Sequence, residues 1–236
     1  MSDSSFEQIK STPRWTWRTI ASHLLVKDAY DHICAQAEVL EQDKHGIKVL
    51  RLVDDDILKI FRVKRLISSA SIYSYARQFC RNAARLQVLG IPTVQIKQLY
   101  HFADSKNSAV LYQPLPGKTI RQLIAANEAD DALFRHLGAF VARLHYLGIY
   151  FRSLHFGNIV LTPEHQLGLI DIADMSIFPW KLGNVRRERN FRHLVRVKED
   201  WVGLNDSCRI AFLEGYESAS AYRPSSHLLL DQKQDH

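Results

Sequence analysis

Tyr150-Phe151-Arg152-Ser153-Leu154-His155-Phe156-Gly157-Asn158, followed by Leu169-Ile170-Asp171-Ile172-Ala173-Asp174, is the stretch on which the reading of this chain turns. Two short apolar runs, Ile159 to Leu161 and Leu167 to Ile170, link these phrases around Pro163 and predict a pair of short strands. A loop ending in Asn, a short hairpin, and an Asp closing its second strand bring two oxygen ligands together, as a Mg²⁺ ion bound to phosphates requires. A plainer reading stands beside this one, because Asn and Asp are common in turns and Gly157-Asn158 reads well as a turn. Asp171, however, ends an apolar strand, where an unpaired carboxylate is costly, and this favours the metal role.

Working outward, Ala132 to Leu147 carries Leu133, Leu137, Phe140, Val141 and Leu144 on one helical face, and Thr119 to Ala126 also reads as helix. Pro114-Leu115-Pro116-Gly117 cannot hold regular structure and marks the internal boundary. Before it, Ser68 to Leu89 spaces Ile72, Ala76, Phe79, Ala83 and Leu86 as an amphipathic helix that stops at Gly90, ahead of Pro92. A short helical stretch, Asp28 to Gln36, precedes three apolar-rich runs, Ala37 to Gln42, Ile47 to Val53 and Ile57 to Arg62, separated by turn residues. They predict an antiparallel meander, and Thr93 to His101 and Ser108 to Gln113 add two strands. The ends, Met1 to Pro13 and Tyr222 to His236, are polar and expected to fray.

Composition narrows the function. Among 236 residues, 46% hydrophobic and 24% charged, 31 Lys and Arg against 25 Asp and Glu leave a net charge of +6, which favours an anionic partner. Cys34, Cys80 and Cys208 are far apart and show no C-x-x-C spacing, so neither a zinc site nor a redox pair is expected. With no apolar leader and no uninterrupted apolar span, the expectation is a cytoplasmic protein whose membrane contact is at most peripheral. Ten glycines without a G-x-G pair exclude the Rossmann and P-loop fingerprints. Nucleic acid is not an expected partner, since no aromatic and basic motif of a common module is present.

The central constellation resembles the protein-kinase-like fold, whose catalytic loop ends in a metal-binding Asn and whose D-F-G segment supplies a metal-binding Asp. Ser-Leu-His-Phe-Gly-Asn (Ser153 to Asn158) is closest to the aminoglycoside-phosphotransferase and lipopolysaccharide-kinase branches, which carry D-L-H-x-x-N-like loops. Leu89-Gly90-Ile91-Pro92-Thr93-Val94 resembles their G-I-P-x-P phrase, and Ile57-Leu58-Lys59-Ile60 looks like the V-A-I-K strand. Among these branches the chain is most similar to the small bacterial lipopolysaccharide core kinases that act on 3-deoxy-manno-octulosonic acid or heptose, a group that includes toluene tolerance proteins. The resemblance runs from Asp28 to Tyr216. It implies an α+β, two-lobed fold: an N-lobe over residues 1–108 with a five-stranded antiparallel sheet and a C-helix, a hinge over 109–118, and a helical C-lobe over 119–236. It also implies ATP and Mg²⁺ as cofactors, with Lys59, Gln113 and Asn158 on the nucleotide and Asn158 and Asp171 on the metal.

Departures from the family pattern carry equal weight. Five residues before Asn158, where the family keeps its catalytic Asp, stands Ser153, whose hydroxyl cannot take a proton at neutral pH as a carboxylate does. No Asp or Glu occurs between Ile57 and Ala103, so Lys59 lacks the C-helix glutamate, and Ala83 or Ala84 is expected in its place. The first hairpin offers only Gly46 where kinases carry a glycine-rich lid. Asp171 remains as the catalytic carboxylate beside the metal, while His155 and Asp174 stand near enough in sequence to substitute at the acceptor hydroxyl; the plain reading of His155 is a loop histidine. Arg77, Arg81 and Arg85 form a stripe on the C-helix whose default is a solvated face. Between Lys181 and Lys198 a helical projection puts Arg186, Arg189, Arg192, His193 and Arg196 opposite Phe191, Leu194 and Val195. That basic face is either plain surface or the site for an anionic acceptor or anionic lipid headgroups. Two functions follow from the resemblance. One is a kinase acting on a hydroxyl of a lipopolysaccharide core sugar at the inner membrane, with an anionic glycolipid or sugar as acceptor. The other is a pseudokinase that keeps the fold without transfer.

Overall fold

The computed structural model describes residues 21–62, 75–202 and 204–224. Strand β1 (Ser22–Leu25) and helix α1 (Lys27–Gln36) lead into the expected meander of β2 (Glu38–Asp43), β3 (Gly46–Arg51) and β4 (Ile57–Phe61), paired antiparallel in that order. Gly46, at φ 110°, makes the reversal between β2 and β3, in a conformation that a side chain would strain. Helix α2 (Tyr75–Val88) buries Ala76, Phe79, Cys80, Ala83 and Leu86, the face set by their spacing of three and four. The helical start expected from Ser68, Ile72 included, lies outside the described residues, as do the polar end Met1 to Pro13 and residues 225–236 of the other; Tyr222, expected to fray, is instead packed on the core and donates its hydroxyl proton to Glu188 at 2.7 Å. At its other end α2 closes as predicted, with Gly90 at φ 65° and the Ile91 N–H donating back to the Leu86 carbonyl.

Strands β5 (Gln95–Phe102) and β6 (Ser108–Gln113) complete a six-stranded sheet in the order β1-β5-β6-β4-β3-β2. Three expectations are corrected here. The sheet is mixed and six-stranded, because β1 pairs parallel with β5, Ser22 opposite Leu99 and Leu25 opposite Phe102. Ser-His-Leu-Leu is too short to show a strand period by itself, and becomes a strand by hydrogen bonding to the open edge of β5. Within the stretch expected as a hinge, residues 109–113 are ladder residues paired with both β4 and β5, so the irregular connection is confined to 114–117. The arginine stripe of α2 is not a fully solvated face either. Arg81 and Arg85 are half-buried, and Arg81 donates to the Gln78 amide oxygen at 2.5 Å.

Both faces of the sheet are covered. Leu50, Leu58, Ile60 and Ala109 point to one side and pack with Tyr30, Ile33 and Cys34 of α1. Leu99 and Val110 point to the other and join α2 in the main core, which continues without interruption into the helical half of the chain. That half comprises β7 (Lys118–Thr119), α3 (Ile120–Ala125), α4 (Asp131–Tyr146), β8 (Ile149–Phe151), β9 (Ile159–Leu161), β10 (Leu167–Leu169), β11 (Met175–Ile177), α5 (Asn184–Leu194) and α6 (Asp206–Ser218). Thr119 and Gln122 form a reciprocal capping box on α3, and Asp130 caps α4 by accepting from the Leu133 N–H at 2.8 Å. Helices α4 and α6 cross where Gly138 and Gly215 face each other's backbones: a Cβ on Gly138 would lie 2.0 Å from the Phe212 carbonyl oxygen. Hairpin β9–β10 hangs on β7, and β8 pairs with β11, so the two phrases quoted above are bound together at both ends. The fold is therefore α+β. No helix among the described residues is long and apolar enough to cross a membrane, and all three cysteines are free thiols.

Candidate active site

Lys59 and Asp171, 112 residues apart in sequence, meet as an ion pair with Nζ 2.5 Å from Oδ1. Strand β4 presents Lys59 on the face it shares with Val49 and Val110, its ladder partners, and Asp171 stands at the exit of β10. The Lys59 ammonium also lies between the rings of Phe61 and Phe79, at 5.8 and 6.0 Å from their centroids. This corrects the expectation for α2. The side chain it offers to Lys59 is Phe79, one turn before Ala83, while Ala83 is sealed in the core and Ala84 is exposed on another side of the helix. Helix α2 instead grips the Asp171 loop through neutral amides: Asn82 Nδ2 donates to the carbonyls of Ile172 and Met175, and Gln78 donates to Met175. Asp171 thus supplies the carboxylate that Lys59 does not find on the helix.

The Asp171 backbone is left-handed, φ 52° and ψ 45°, a region that Asp tolerates better than most residues. It is held there from both sides. Thr93 Oγ1 donates to the Leu169 carbonyl at 2.7 Å, the Leu169 N–H donates to Pro92, and the Ile170 N–H donates to the Asn158 carbonyl at 3.1 Å. That last bond fastens the Asn158 loop directly to the strand carrying Asp171. Asn158 itself is buried, and its Nδ2 donates to the Ser153 carbonyl at 2.9 Å and to His155 Nε2 at 3.1 Å. With its nitrogen committed, the amide has only Oδ1 left as an atom able to coordinate a cation. His155, by this assignment of the hydrogen bonds, accepts at Nε2 and carries its proton on Nδ1, a buried atom without a partner. Burial, and then the Arg121 guanidinium, hold its pKa below the ordinary histidine value, so it is a neutral positioning group for Asn158.

Ser153 Oγ donates to Asp174 Oδ2 at 2.7 Å. Asp174 keeps its other oxygen, Oδ1, buried and without a hydrogen bond. Ser153 is thus directly coupled to a carboxylate from the next turn of the chain, three residues beyond Asp171.

Asp200, which the sequence analysis does not single out, supports the loop from below. Almost fully buried, it accepts from the Phe156 N–H at 3.1 Å and takes a two-pronged bond from Arg121 at 2.5 and 3.1 Å. The only signal for it in the sequence is an acidic pair, Glu199-Asp200, next to Trp201 at the end of a basic segment.

Above Lys59 the β2–β3 hairpin overhangs a cleft of about 810 Å³ lined by Asp43, Lys48, Lys59, Arg62 and Asp171. Arg62 braces the hairpin, donating to Asp43 at 2.9 Å and to the Ile47 carbonyl at 2.5 Å. A guanidinium clamp holds a hairpin with one glycine, and the cations Lys48 and Arg62 are paired there with Glu41 and Asp43. Gln113 ends β6, exposed, and does not line this cleft.

The basic helix is α5, and Phe191, Leu194 and Val195 are buried as its projection predicts. Arg186, Arg189, Arg192 and Arg196 are exposed, but Arg186 is stacked on Phe178, its guanidinium 4.4 Å from the ring centroid. His193 accepts or donates at Nε2 with the Tyr150 hydroxyl at 3.0 Å, tying α5 to β8 beside Ser153. Among the described residues no three His, Cys, Asp or Glu side chains are grouped to hold a metal by themselves. Asn158 and Asp171 are hard oxygen donors of the kind a Mg²⁺ ion takes when phosphates and water complete its shell. No protein-family model matches the chain, and no curated protein matches it.

Proposed function

We propose that this chain is a phosphotransferase of protein-kinase-like, two-lobed architecture that uses ATP and Mg²⁺ to phosphorylate a hydroxyl of a lipopolysaccharide core sugar. The observation that carries this reading is the Lys59–Asp171 pair, a cation and a carboxylate joined across more than a hundred residues at the mouth of a cleft, with the Asn158 loop fastened to the Asp171 strand through the Ile170 N–H. Nothing in the packing of the core requires that pair, since Asp171 is half exposed. Its partners fit the chemistry: Lys59 suits phosphate oxygens, and Asn158 Oδ1 with Asp171 suits the metal. The metal, when bound, neutralises charge on the phosphates. Ser153 and Asp174 hold the acceptor hydroxyl, with the Asp174 carboxylate as the group that takes its proton. His155 fixes Asn158, and Asp200 fixes the loop carrying all of them. The exposed arginines of α5 face an anionic glycolipid or sugar acceptor, reached by peripheral contact at the cytoplasmic side of the inner membrane; nucleic acid is not part of this reading.

A second reading, a pseudokinase, draws on the same residues: Ser153 is no base, and α2 offers Lys59 an aromatic ring in place of a carboxylate. Calorimetric titration with ATP, with and without Mg²⁺, on the native protein and on Asp171→Asn separates them in part. Metal-dependent binding that the variant loses is the expected result. Absence of heat and of thermal stabilisation at millimolar nucleotide overturns the nucleotide site and with it the phosphotransferase, and binding without transfer to any lipopolysaccharide core acceptor selects the pseudokinase.

A further inference from the structure

Where the start of α5 meets the ends of α4 and α6 there is a cavity of about 650 Å³, a size that takes a small molecule, and it shares no residue with the cleft at Lys59 and Asp171. Three of its lining side chains are cations, Lys181, Arg187 and Arg223, and none is acidic. Arg223 is exposed and pairs at 3.7 Å with Glu217, which lies outside the lining. Arg187 is only 8% exposed and forms no ion pair among the described residues. Neutral groups hold it instead: Nε donates to the Leu182 carbonyl at 2.7 Å, and Nη1 donates to the hydroxyls of Ser220 at 2.7 Å and Tyr216 at 3.4 Å. Nη2 has no hydrogen-bond partner among the described residues. The Tyr216 hydroxyl is bonded in turn to His145, so Arg187 cannot swing out to water without breaking a buried network. A buried charge without a counter-ion is costly, and neutral hydrogen bonds offset only part of that cost. Lys181 beside it is exposed and forms no ion pair among the described residues. No side chain caps α5 at Gly183, so the N–H groups of Asn184 and Val185 have neither an intrahelical acceptor nor a capping oxygen.

We propose that this cavity binds the phosphate group of a small metabolite, with Arg187 Nη2, the Lys181 ammonium and the first-turn N–H groups of α5 as its donors. The anion supplies the counter-charge that the fold withholds from Arg187. Phosphate has enough acceptor oxygens to take bonds from all three sources at once, and negative charge is favoured at a helix start. The rigid hold on Nε and Nη1 fixes the guanidinium before the ligand arrives, so little side-chain freedom is lost on binding. Tyr146 and the Tyr222 ring, whose centroid lies 5.7 Å from the Arg187 guanidinium, border the space left for the remainder of the metabolite. The site stands independently of the phosphotransferase reading, because neither the Lys59–Asp171 pair nor the Ser153 loop contributes to it.

Inorganic phosphate added to the intact protein at constant ionic strength, balanced with chloride, tests this through backbone amide NMR shifts. Saturable shifts at Asn184 and Val185 are expected, and they persist in Lys59→Gln, which sets the site apart from the nucleotide cleft. Arg187→Gln is expected to weaken phosphate binding by about tenfold or more and Lys181→Gln by about threefold, whereas Arg135→Gln, outside the cavity, leaves it unchanged. If Arg187→Gln does not fold, Arg187→Lys takes its place; it keeps the charge, loses the planar fork, and is expected to weaken binding by about threefold. Absence of saturable shifts at Asn184 and Val185 in the native protein overturns the site. So does native affinity in both Lys181→Gln and the folded Arg187 variant, and so does a response that vanishes in Lys59→Gln, which assigns the phosphate to the cleft.

Discussion

Ser153 points its proton at Asp174 Oδ2, and Asp174 holds a second oxygen in reserve, buried and unbonded. In the phosphotransferase reading proposed above, Asp174 is the group that takes the proton of the acceptor hydroxyl. Asp174→Asn is therefore expected to lower the single-turnover transfer rate by a factor of roughly 10² to 10⁴, the usual worth of a positioned base. Ser153→Ala, which leaves the carboxylate, is expected to cost less, and equal rates for Asp174→Asn and the native enzyme would remove Asp174 from the reaction. At this scale Lys59, Asn158 and Asp171 are legible in the sequence because each sits in a phrase with its own local pattern. Asp200 is not, because its role exists only through Phe156 and Arg121, 44 and 79 residues away.

The elements follow their periodicities where those are long. Helices α2 and α4 bury the apolar positions that spacing assigns to them, and the β2–β3–β4 meander forms between its turn signals. Two-residue β7 and four-residue β1 carry no period of their own and exist because an edge was available to pair with. The crossing of α4 and α6 depends on two missing side chains. A Cβ on Gly215 would lie 1.9 Å from the Arg135 carbonyl oxygen, and one on Gly138 would meet Phe212 as closely. Gly138→Ala and Gly215→Ala are each expected to destabilise the protein by about 3 kcal/mol through overpacking, read from urea denaturation; a change below about 1 kcal/mol would show that the crossing relaxes at little cost.

Across the whole molecule, acid sensitivity is the most direct readout of how the helical half is assembled. His145 of α4 is fully buried, bonded to the Tyr216 hydroxyl at 2.8 Å and to Asn190 at 3.2 Å, and burial pushes its pKa from 6.5 down to about 3. Below its ordinary pKa the unfolded chain protonates first, so the stability this group contributes is complete above pH 6.5 and is lost as pH falls from 6.5 toward 3. Between those limits the slope is about 1.4 kcal/mol per pH unit, or about 2 kcal/mol by about pH 5. His145→Gln is expected to flatten that slope in denaturation measured at several pH values, and an unchanged slope would assign the acid sensitivity to other groups.

The sequence by itself determined the α+β class, the buried faces of the periodic helices and the point where α2 ends, the break at Pro114 to Gly117, and the residue types that suit a metal and phosphates. These are local properties, written in spacing and in turn chemistry over a few neighbouring positions. Only the tertiary structure decided that Lys59 reaches Asp171, that Ser153 leans on Asp174, that β1 joins the sheet in parallel, and that Asp200 holds the loop. Each of these pairs residues separated by more than about twenty positions, and such contacts are set by how helices and sheet pack their buried faces together, which no window of sequence contains.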